Sequence, residues 1–151
     1  MSEIRPFLYR CISCGTKNKI PAAKLSAAPN CGRCHARLDT EELFLPQPVI
    51  VSTDDFAEKV LRSPIPVLLD CWAAWCSACH AFSPVVQELG RIMAQRVRVA
   101  KINVEQNPAI SSKYSVLSLP TCLVFDGGQV RERFVGAIDR DDALFKMAKY
   151  T

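Results

Sequence analysis

The sequence predicts an α/β fold, in which helices cover both faces of a central mixed sheet, preceded by a small cysteine-rich module. After residue 46, strand patterns alternate with segments of helical spacing, as expected for such a sheet. Before residue 46 the chain lacks long apolar runs and is rich in Cys, Lys, Arg and turn residues. Pro46-Gln47-Pro48 is a stiff connector, because each proline disfavours helix at the residue before it. We therefore expect two domains, residues 1–45 and residues 46–151.

The second domain begins with a short strand, a helix and a central strand. A β-branched run at residues 49–52 precedes helical spacing over residues 54–62, with Ser52 or Thr53 available as the N-cap. Residues 66–72 are apolar except for one acid, a pattern typical of a strand buried on both faces. This strand is expected at the centre of the sheet.

Further alternations of helix and strand complete the domain. Helical spacing over residues 78–95 includes Pro84, which removes one backbone donor and should kink the helix. Asp126-Gly127-Gly128 is a turn signal between two strand patterns, so a β-hairpin is expected there. The remaining elements are a strand at residues 97–104, a helix at 107–114, the hairpin strands at 121–125 and 129–134, and a last helix at 139–150 capped by Asp139.

Composition and charge exclude several classes of protein. The 151 residues, 49% hydrophobic and 23% charged, are typical of a folded soluble protein, and no run approaches the ~18 apolar residues that span a bilayer. The net charge of +4 is too small to indicate binding to nucleic acid or to an anionic membrane. Residues 1–10 have no apolar core of a secretory signal. We expect a cytoplasmic protein that binds neither nucleic acid nor membrane.

Six of the eight cysteines fall in three C-x-x-C pairs, and the first two pairs have the spacing of a zinc site. Zinc takes four thiolates in a tetrahedron, and a segment of about 45 residues is too small to be stable by apolar burial alone. A closed four-thiolate site leaves no position for substrate, so its expected role is structural. The expected ligands are Cys11, Cys14, Cys31 and Cys34.

Two glycines favour the tight turns of such a site. Gly15 follows the first pair and Gly32 lies within the second, and glycine adopts the unusual backbone angles that these turns need. Two alternatives remain open from the residues alone. The pairs could be local redox pairs or disulfides, or His35 could replace Cys34 as a ligand.

The third pair, Cys76-Ser77-Ala78-Cys79, lies between a buried strand and a helix. A helix N-terminus stabilises a thiolate, which is the species that attacks a disulfide, and Cys79 can then resolve the mixed disulfide. Asp70 in the apolar strand should have a raised pKa and could accept the proton of Cys79, directly or through a water. Lys101 in the neighbouring strand is its expected partner. The alternative role for Asp70 is a structural salt bridge.

Several spaced motifs over roughly residues 48–151 resemble the thioredoxin family. The stretch DCWAAWCSAC from Asp70 to Cys79, followed by Pro84, resembles its active site. With the four-cysteine module, the chain is similar to the zinc-containing bacterial branch of that family. The other matching motifs are Lys101-Ile102-Asn103-Val104, Gln106-Asn107-Pro108, Leu119-Pro120-Thr121 with a proline that is cis in the family, and Val135-Gly136-Ala137.

The resemblance implies a thioredoxin fold and protein-disulfide reduction. Cys76 would be the nucleophile and Cys79 the resolving thiol, with Asp70 as proton acceptor and Lys101 tuning it. Electrons would come from NADPH through thioredoxin reductase, the substrates would be disulfide-containing proteins, and the chain would act as a monomer with one structural zinc ion. The substrate segment would add as a strand beside the cis proline. The surface that receives it would consist of Trp75, Leu119, Pro120 and Gly136.

The residues between the catalytic cysteines depart from the family's usual Gly-Pro. Ala78, unlike proline, has an N–H that could donate to the Cys76 sulfur, which would favour the thiolate and make the couple more oxidising. His80 replaces the usual lysine and could add positive charge. A thiol oxidase or isomerase, or a zinc-dependent redox-regulated chaperone or interaction protein, therefore remains an alternative. Cys71 and Cys122 are expected in the core, with a secondary thiol for glutathionylation or dimer formation as the alternative for Cys122.

Overall fold

The chain is described by a computed structural model over residues 4–40 and 46–151. An antiparallel pair of strands opens it, β1 (Phe7–Arg10) and β2 (Lys17–Ile20), followed by the short 3-10 helix Ala22–Lys24. The predicted domain boundary after residue 45 falls at the end of residues 41–45, which lie outside the described residues. In the described part of the chain, no helix is both long enough and apolar enough to cross a membrane.

A five-stranded mixed sheet forms the rest of the fold, in the order β3-β5-β4-β6-β7. The strands β3, β5 and β4 are parallel to one another, whereas β6 is antiparallel to β4 and β7 is antiparallel to β6. This arrangement confirms the predicted α/β fold with β4 at its centre. The strands are β3 (Val49–Val51), β4 (Val67–Trp72), β5 (Arg98–Asn103), β6 (Thr121–Asp126) and β7 (Gln129–Val135).

Helical segments connect the strands close to the predicted positions. The segment predicted at residues 54–62 contains a π-helix, Ala57–Leu61, and neither Ser52 nor Thr53 caps it as expected. Instead Thr53 donates from its backbone N to Asn107 Oδ1 at 2.7 Å. Asp139 does cap the last helix, since its Oδ1 accepts from Asp142 N at 2.7 Å. The α-helices are α1 (Ser77–Ile92, containing Pro84), α2 (Pro108–Lys113) and α3 (Arg140–Met147), with a final 3-10 helix at Ala148–Tyr150.

The central strand β4 supplies side chains to two separate cores. Leu69, with the odd-numbered positions of β4, packs in the core that contains Phe56 and Phe125. Leu68 packs on the other face of the sheet, in the core that contains Leu89 of α1. Because successive strand residues point to opposite faces, the even-numbered position 70 belongs to the face that α1 covers. The acid of the apolar strand therefore lies beneath the helix that carries the catalytic pair.

The N-terminal module packs against the edge of the sheet where β4 and β5 begin. Ile65, two residues before β4, belongs to the same apolar core as Phe7 and Leu38. The backbone N of Arg10 donates to the Pro64 carbonyl at 2.7 Å. The six residues of β4 separate this edge from the edge at which Cys76 follows the strand, a distance of about 20 Å.

Charged side chains also bond the module to this edge of the sheet, which is the module junction. Asp126, at the hairpin turn between β6 and β7, pairs with Arg10 at 3.6 Å and with Lys17 at 3.5 Å. Arg96, which precedes β5, donates to the carbonyls of Arg5 and Pro6 at 2.8 and 3.2 Å. These bonds fix the module to the end of the sheet that is farther from the active-site pair.

Candidate active site and four-cysteine centre

Cys76 and Cys79 form a disulfide at the beginning of α1, with their Cα atoms 5.2 Å apart. Their residues are 6% and 4% exposed. Cys76 is the N-cap of the helix, so the pair lies where the strand β4 gives way to the helix, as predicted. The described state is the oxidised one, which is the state of a dithiol that has delivered two electrons.

The Cys76 sulfur accepts a hydrogen bond from the backbone N of Cys79 at 3.1 Å. In this oxidised form, no bond from Ala78 N to that sulfur occurs among the described residues. An N-cap side chain accepts from the second or the third residue of the helix, and here it takes the third. The donation expected from Ala78 is to the Cys76 thiolate of the reduced form, so the more oxidising couple stays a prediction.

Asp70 is buried beneath this helix, and the Asp70 residue is 2% exposed. Its Oδ1 has no hydrogen-bond partner. Burial raises the pKa of Asp70 to about 6, against the opposing effect of the Lys101 charge. The predicted raised pKa is thus present, and Asp70 can hold or release a proton near neutral pH.

Lys101 lies beside Asp70 in the parallel pairing of β4 with β5. Its Nζ donates to Ser83 Oγ of α1 at 3.4 Å and lies 5.2 Å from the centre of the Trp72 ring. The ion pairs of the described residues do not include one between Asp70 and Lys101, so the structural salt bridge considered as an alternative is not formed. Lys101 acts on Asp70 through its charge at a longer distance.

The loops next to the disulfide come from three adjacent strands. Cys71 of β4 pairs with Thr121 of β6, which pairs in turn with Val135 of β7. The loops after β4, before β6 and after β7 therefore meet at one edge of the sheet. The peptide bond between Leu119 and Pro120 is cis, as the resemblance implied.

The predicted substrate-facing residues occupy these three loops. Trp75 is 71% exposed, which is unusual for tryptophan and leaves its ring available for contact. Gly136 donates from its backbone N to the Pro120 carbonyl at 2.8 Å, so these two loops are bonded to each other. Sequence reasoning did not single out Leu117, which is 92% exposed in the loop before the cis proline. Its position beside Ser118, outside any strand or helix pattern, was the available signal.

The four N-terminal cysteines converge as predicted. All four sulfurs lie within 4.8 Å of one another, and the pairs Cys11–Cys34 and Cys14–Cys31 are each 3.6 Å apart. Zinc bonded to four thiolates at ~2.3 Å places neighbouring sulfurs about 3.8 Å apart, so this set fits a tetrahedral ion. The cluster contains Cys34 and not His35, so the alternative ligand is not used.

Each pair of this centre is held by the same type of turn. Gly15 N donates to the Cys11 carbonyl at 2.8 Å, and His35 N donates to the Cys31 carbonyl at 2.9 Å. Gly15 has φ of +79° and His35 has φ of +64°. The prediction for Gly15 is confirmed, but that for Gly32 is wrong, because His35 takes the left-handed conformation in the second turn. Gly32 instead donates to Asn18 Oδ1 at 2.9 Å.

Backbone N–H groups also prepare these sulfurs for a metal. The N–H groups of Cys34 and Arg33 lower the pKa of Cys31 to about 6. Hydrogen bonds from Thr16 lower the pKa of Cys14. At Cys34 the Ala36 N–H is outweighed by burial and by the neighbouring cysteines, which raise the pKa to about 11. The turns therefore favour the thiolate, the form that binds zinc, at Cys14 and Cys31.

The two cysteines outside the C-x-x-C pairs are core residues, as expected. Cys71 and Cys122 are each 1% exposed. Burial, together with the charge of Asp70, raises the pKa of Cys71 to about 12 and that of Cys122 well above its usual value. Both remain protonated and cannot serve as nucleophiles.

A Cys-x-x-Cys disulfide at a helix N-terminus, with a buried carboxyl below it and a cis proline beside it, defines a thiol–disulfide oxidoreductase. The comparisons with known proteins support this class. The family model described as Thioredoxin matches residues 47–149, and the model described as Thioredoxin 2, N-terminal, matches residues 10–36. The chain therefore belongs to the thioredoxin family and carries the N-terminal zinc ribbon of the thioredoxin 2 type.

Individual relatives agree with the family assignment. A thioredoxin of Rickettsia bellii (strain RML369-C) is 41% identical over 94 residues, which are 62% of this chain and 90% of that protein. Thioredoxin C-3 of Corynebacterium nephridii is 36% identical over 129 residues, 85% of this chain and 84% of its own. The chloroplastic M-type thioredoxin of Chlamydomonas reinhardtii is 33% identical over 131 residues, 87% and 92% respectively.

Proposed function

We propose that this protein reduces disulfides of other proteins, with Cys76 as the attacking thiolate and Cys79 as the resolving thiol. The observation that carries this assignment is the position of Cys76 as the N-cap of α1, where its sulfur accepts the Cys79 N–H. In the reduced protein the same N–H and the helix dipole favour the Cys76 thiolate. Its attack forms a mixed disulfide, while the released substrate sulfur leaves as a thiolate and takes up a proton from water.

The second step transfers the bond from the substrate to Cys79. Cys79 loses its proton to Asp70, directly or through a water, and its sulfur attacks that of Cys76. The Cys76–Cys79 disulfide forms and the second substrate sulfur leaves, so two electrons have passed to the substrate. Asp70 suits this role because its pKa of about 6 lets it accept a proton at neutral pH. The charge of Lys101 keeps that pKa from rising further.

The substrate is received by the exposed surface around Cys76. The backbone beside the cis Pro120 bonds an extended substrate segment as an added strand, while the exposed ring of Trp75 contacts its side chains. The hydrogen bond from Gly136 to the Pro120 carbonyl keeps two walls of this surface together. Leu119 is partly buried and packs against the core that contains Phe56 and Phe125.

The N-terminal module, residues 1–45, binds one zinc ion through its four cysteines, and residues 46–151 form the thioredoxin domain. The sulfur spacings and the lowered pKa values of Cys14 and Cys31 support this occupant. Zinc would supply folding free energy rather than catalysis, since four thiolates fill its coordination shell. The ligands are Cys11, Cys14, Cys31 and Cys34.

The proposed cycle needs an electron donor and a reducing compartment. Thioredoxin reductase with NADPH fits as the donor, because the known family uses it. We propose the cytoplasm as that compartment, because a reducing environment keeps the dithiol in its active form, and the chain is proposed to act as a monomer.

Insulin reduction with thioredoxin reductase and NADPH tests the proposal. The wild-type protein should precipitate the insulin B chain, whereas Cys76→Ser should abolish the reaction and Cys79→Ser should accumulate a mixed disulfide detectable by mass. Cys71→Ala, which removes a buried thiol outside the pair, is the matched control and should retain turnover. If Cys76→Ser still reduced insulin, the assignment of the nucleophile would be wrong.

A further inference from the structure

His80 follows the active-site pair, and its imidazole is bonded to the loop that precedes that pair. Its Nε2 lies 2.7 Å from the carbonyl oxygen of Ala74. A carbonyl oxygen can only accept, so Nε2 is the ring nitrogen that carries the proton in this bond. The bond therefore connects the first turn of α1 to the segment between β4 and the helix.

The position of His80 in the helix explains how it reaches this carbonyl. Cys76 is the N-cap, so His80 is the fourth residue of α1, and its backbone N donates to the Cys76 carbonyl at 3.2 Å. Helical side chains lean toward the N-terminus and cover the preceding turn. In a hydrophobic staple, the fourth helical residue packs on the residue before the N-cap. Here the fourth residue makes a hydrogen bond instead, to Ala74, two residues before the N-cap.

A neighbouring ring fixes the orientation of the imidazole. The Trp72 ring lies 6.5 Å from that of His80, centre to centre, in an edge-on arrangement with an interplanar angle of 69°. On the sheet side, the Lys101 ammonium lies 5.2 Å from the centre of the same indole ring. The imidazole thus has a defined neighbour although the residue as a whole is exposed.

Few other bonds hold the loop that His80 contacts. Ala74 and Trp75 are both exposed. Within the described part of the chain, the bonds to this loop's carbonyls are the one from His80 to Ala74 and one from Cys76 N to Ala73, at 3.2 Å. The orientation of the peptide that joins Ala74 to Trp75 therefore depends on the His80 side chain.

We propose that His80 is a positioning residue for protein substrates, because its Nε2–H holds the Ala74 carbonyl and thereby fixes Trp75 for contact with the substrate chain. This inference rests on the proposed function, since it assigns the binding of a polypeptide to the surface beside Cys76. A small disulfide that reaches Cys76 without touching Trp75 does not depend on this bond. The reduction potential of the pair is also independent of it.

Three substitutions distinguish the contribution of the His80 hydrogen bond from that of its aromatic ring. His80→Ala loses both, His80→Phe keeps a ring but loses the donor, and His80→Gln keeps an N–H donor at a similar reach. His80→Ala and His80→Phe should raise the KM for insulin roughly fivefold, as expected for one lost hydrogen bond, with kcat retained. His80→Gln should have the wild-type KM. All three zinc-bound, full-length variants should reduce dithiobis(nitrobenzoate) at the wild-type rate and keep the wild-type potential.

Other outcomes would overturn the inference. A wild-type KM for insulin in His80→Ala, or a KM in His80→Gln as high as in His80→Ala, would show that the donor does not position the loop. A potential shifted in all three variants would show that His80 acts through its charge instead. If His80→Ala does not fold, the comparison of His80→Phe with His80→Gln decides. Wild-type protein that fails to reduce insulin at all would instead contradict the proposed function.

Discussion

Two ends of the same sheet carry the same cysteine spacing and use it differently. At one end, Cys31 and Cys34 belong to a turn that stops at His35, whose φ of +64° ends any helical path. At the other end, Cys76 and Cys79 open a turn in which His80 N also bonds back to the first cysteine, but the chain continues as α1. The turns of the N-terminal pairs end after the second cysteine and bring four sulfurs together. The turn at Cys76 continues as a helix and leaves two sulfurs at the helix N-terminus. Histidine follows the second cysteine in both pairs, so the difference lies in the backbone conformation, which is left-handed at His35 and helical at His80.

The largest expected effect on stability comes from replacing one of the four cysteines in the N-terminal module. Cys31→Ser should abolish zinc binding and unfold the module, because structural zinc contributes an apparent ~10–16 kcal/mol in small zinc domains. Zinc content and limited proteolysis of residues 1–40 measure this. Insulin reduction should stay within about twofold of wild type, since about 20 Å of strand separates the two ends. Loss of activity equal to that of Cys76→Ser would refute the separation of the two ends.

The next largest effect concerns Asp70, the buried carboxyl beneath the Cys76–Cys79 pair, and the pH dependence of stability that it causes. Its folded pKa of about 6 lies above the usual 3.8, so the folded protein binds more protons than the unfolded chain between about pH 4 and pH 6. The wild-type free energy of unfolding should therefore fall as pH rises through this window, by about 3 kcal/mol in total. Asp70→Asn removes this dependence and should be the more stable protein at pH 8, as measured by urea unfolding.

The same Asp70→Asn substitution should slow catalysis while it stabilises the fold. Without the proton acceptor, turnover with insulin should fall roughly tenfold or more at pH 7. Unfolding below about pH 3, where the wild-type carboxyl is mostly protonated in both states, is the internal control and should show little pH dependence in either protein. Equal pH dependence in both proteins would exclude Asp70 as the buried titrating group.

A smaller effect on stability is expected at Gly128, where the hairpin turn approaches Leu61 closely. Gly128 has φ of +79°, and a Cβ there would lie 3.0 Å from the Leu61 carbonyl oxygen. Gly128→Ala should cost about 2–3 kcal/mol of unfolding free energy, from backbone strain and this close contact together. Gly136→Ala is the matched control, because its φ is +91° but its Cβ would meet open space. Equal losses of unfolding free energy in both variants would mean that backbone strain alone causes the loss and that the contact with Leu61 does not contribute.

The smallest effect concerns the ion pairs at the module junction. Asp126→Asn should lower the free energy of unfolding by about 0.5–1 kcal/mol, because the pairs with Arg10 and Lys17 are only partly buried, and 1 M salt should remove the difference. Proteolysis of the module should become faster. Glu88→Gln, which breaks the pair with Arg140 away from the junction, should leave that rate unchanged. Equal proteolysis rates in both variants would show that the Asp126 ion pairs do not hold the module at the junction.

The sequence was sufficient for the order of elements, the dithiol and the four sulfurs, because each depends on residues close together or on regular spacing. It was insufficient where a long-range partner or the detailed hydrogen bonding of a turn decides. Asp126 gave no sign that it would pair with Arg10, which lies far away in the chain. Gly32 suggested a left-handed turn because glycine permits it, yet His35 adopts that conformation since the second turn repeats the hydrogen bonds of the first.

Ile65 has a consequence for how such a chain can be divided or recombined. Its side chain completes the apolar core of the module, although it lies well inside the segment that forms the other domain. A thioredoxin domain cut free at residue 46 would present Ile65 and the Pro64 carbonyl to water. A module transplanted onto an unrelated thioredoxin would lack both. The unit that can be exchanged is therefore the N-terminal module together with the Pro64-Ile65 bend, two pieces that are discontinuous in the chain and must change together.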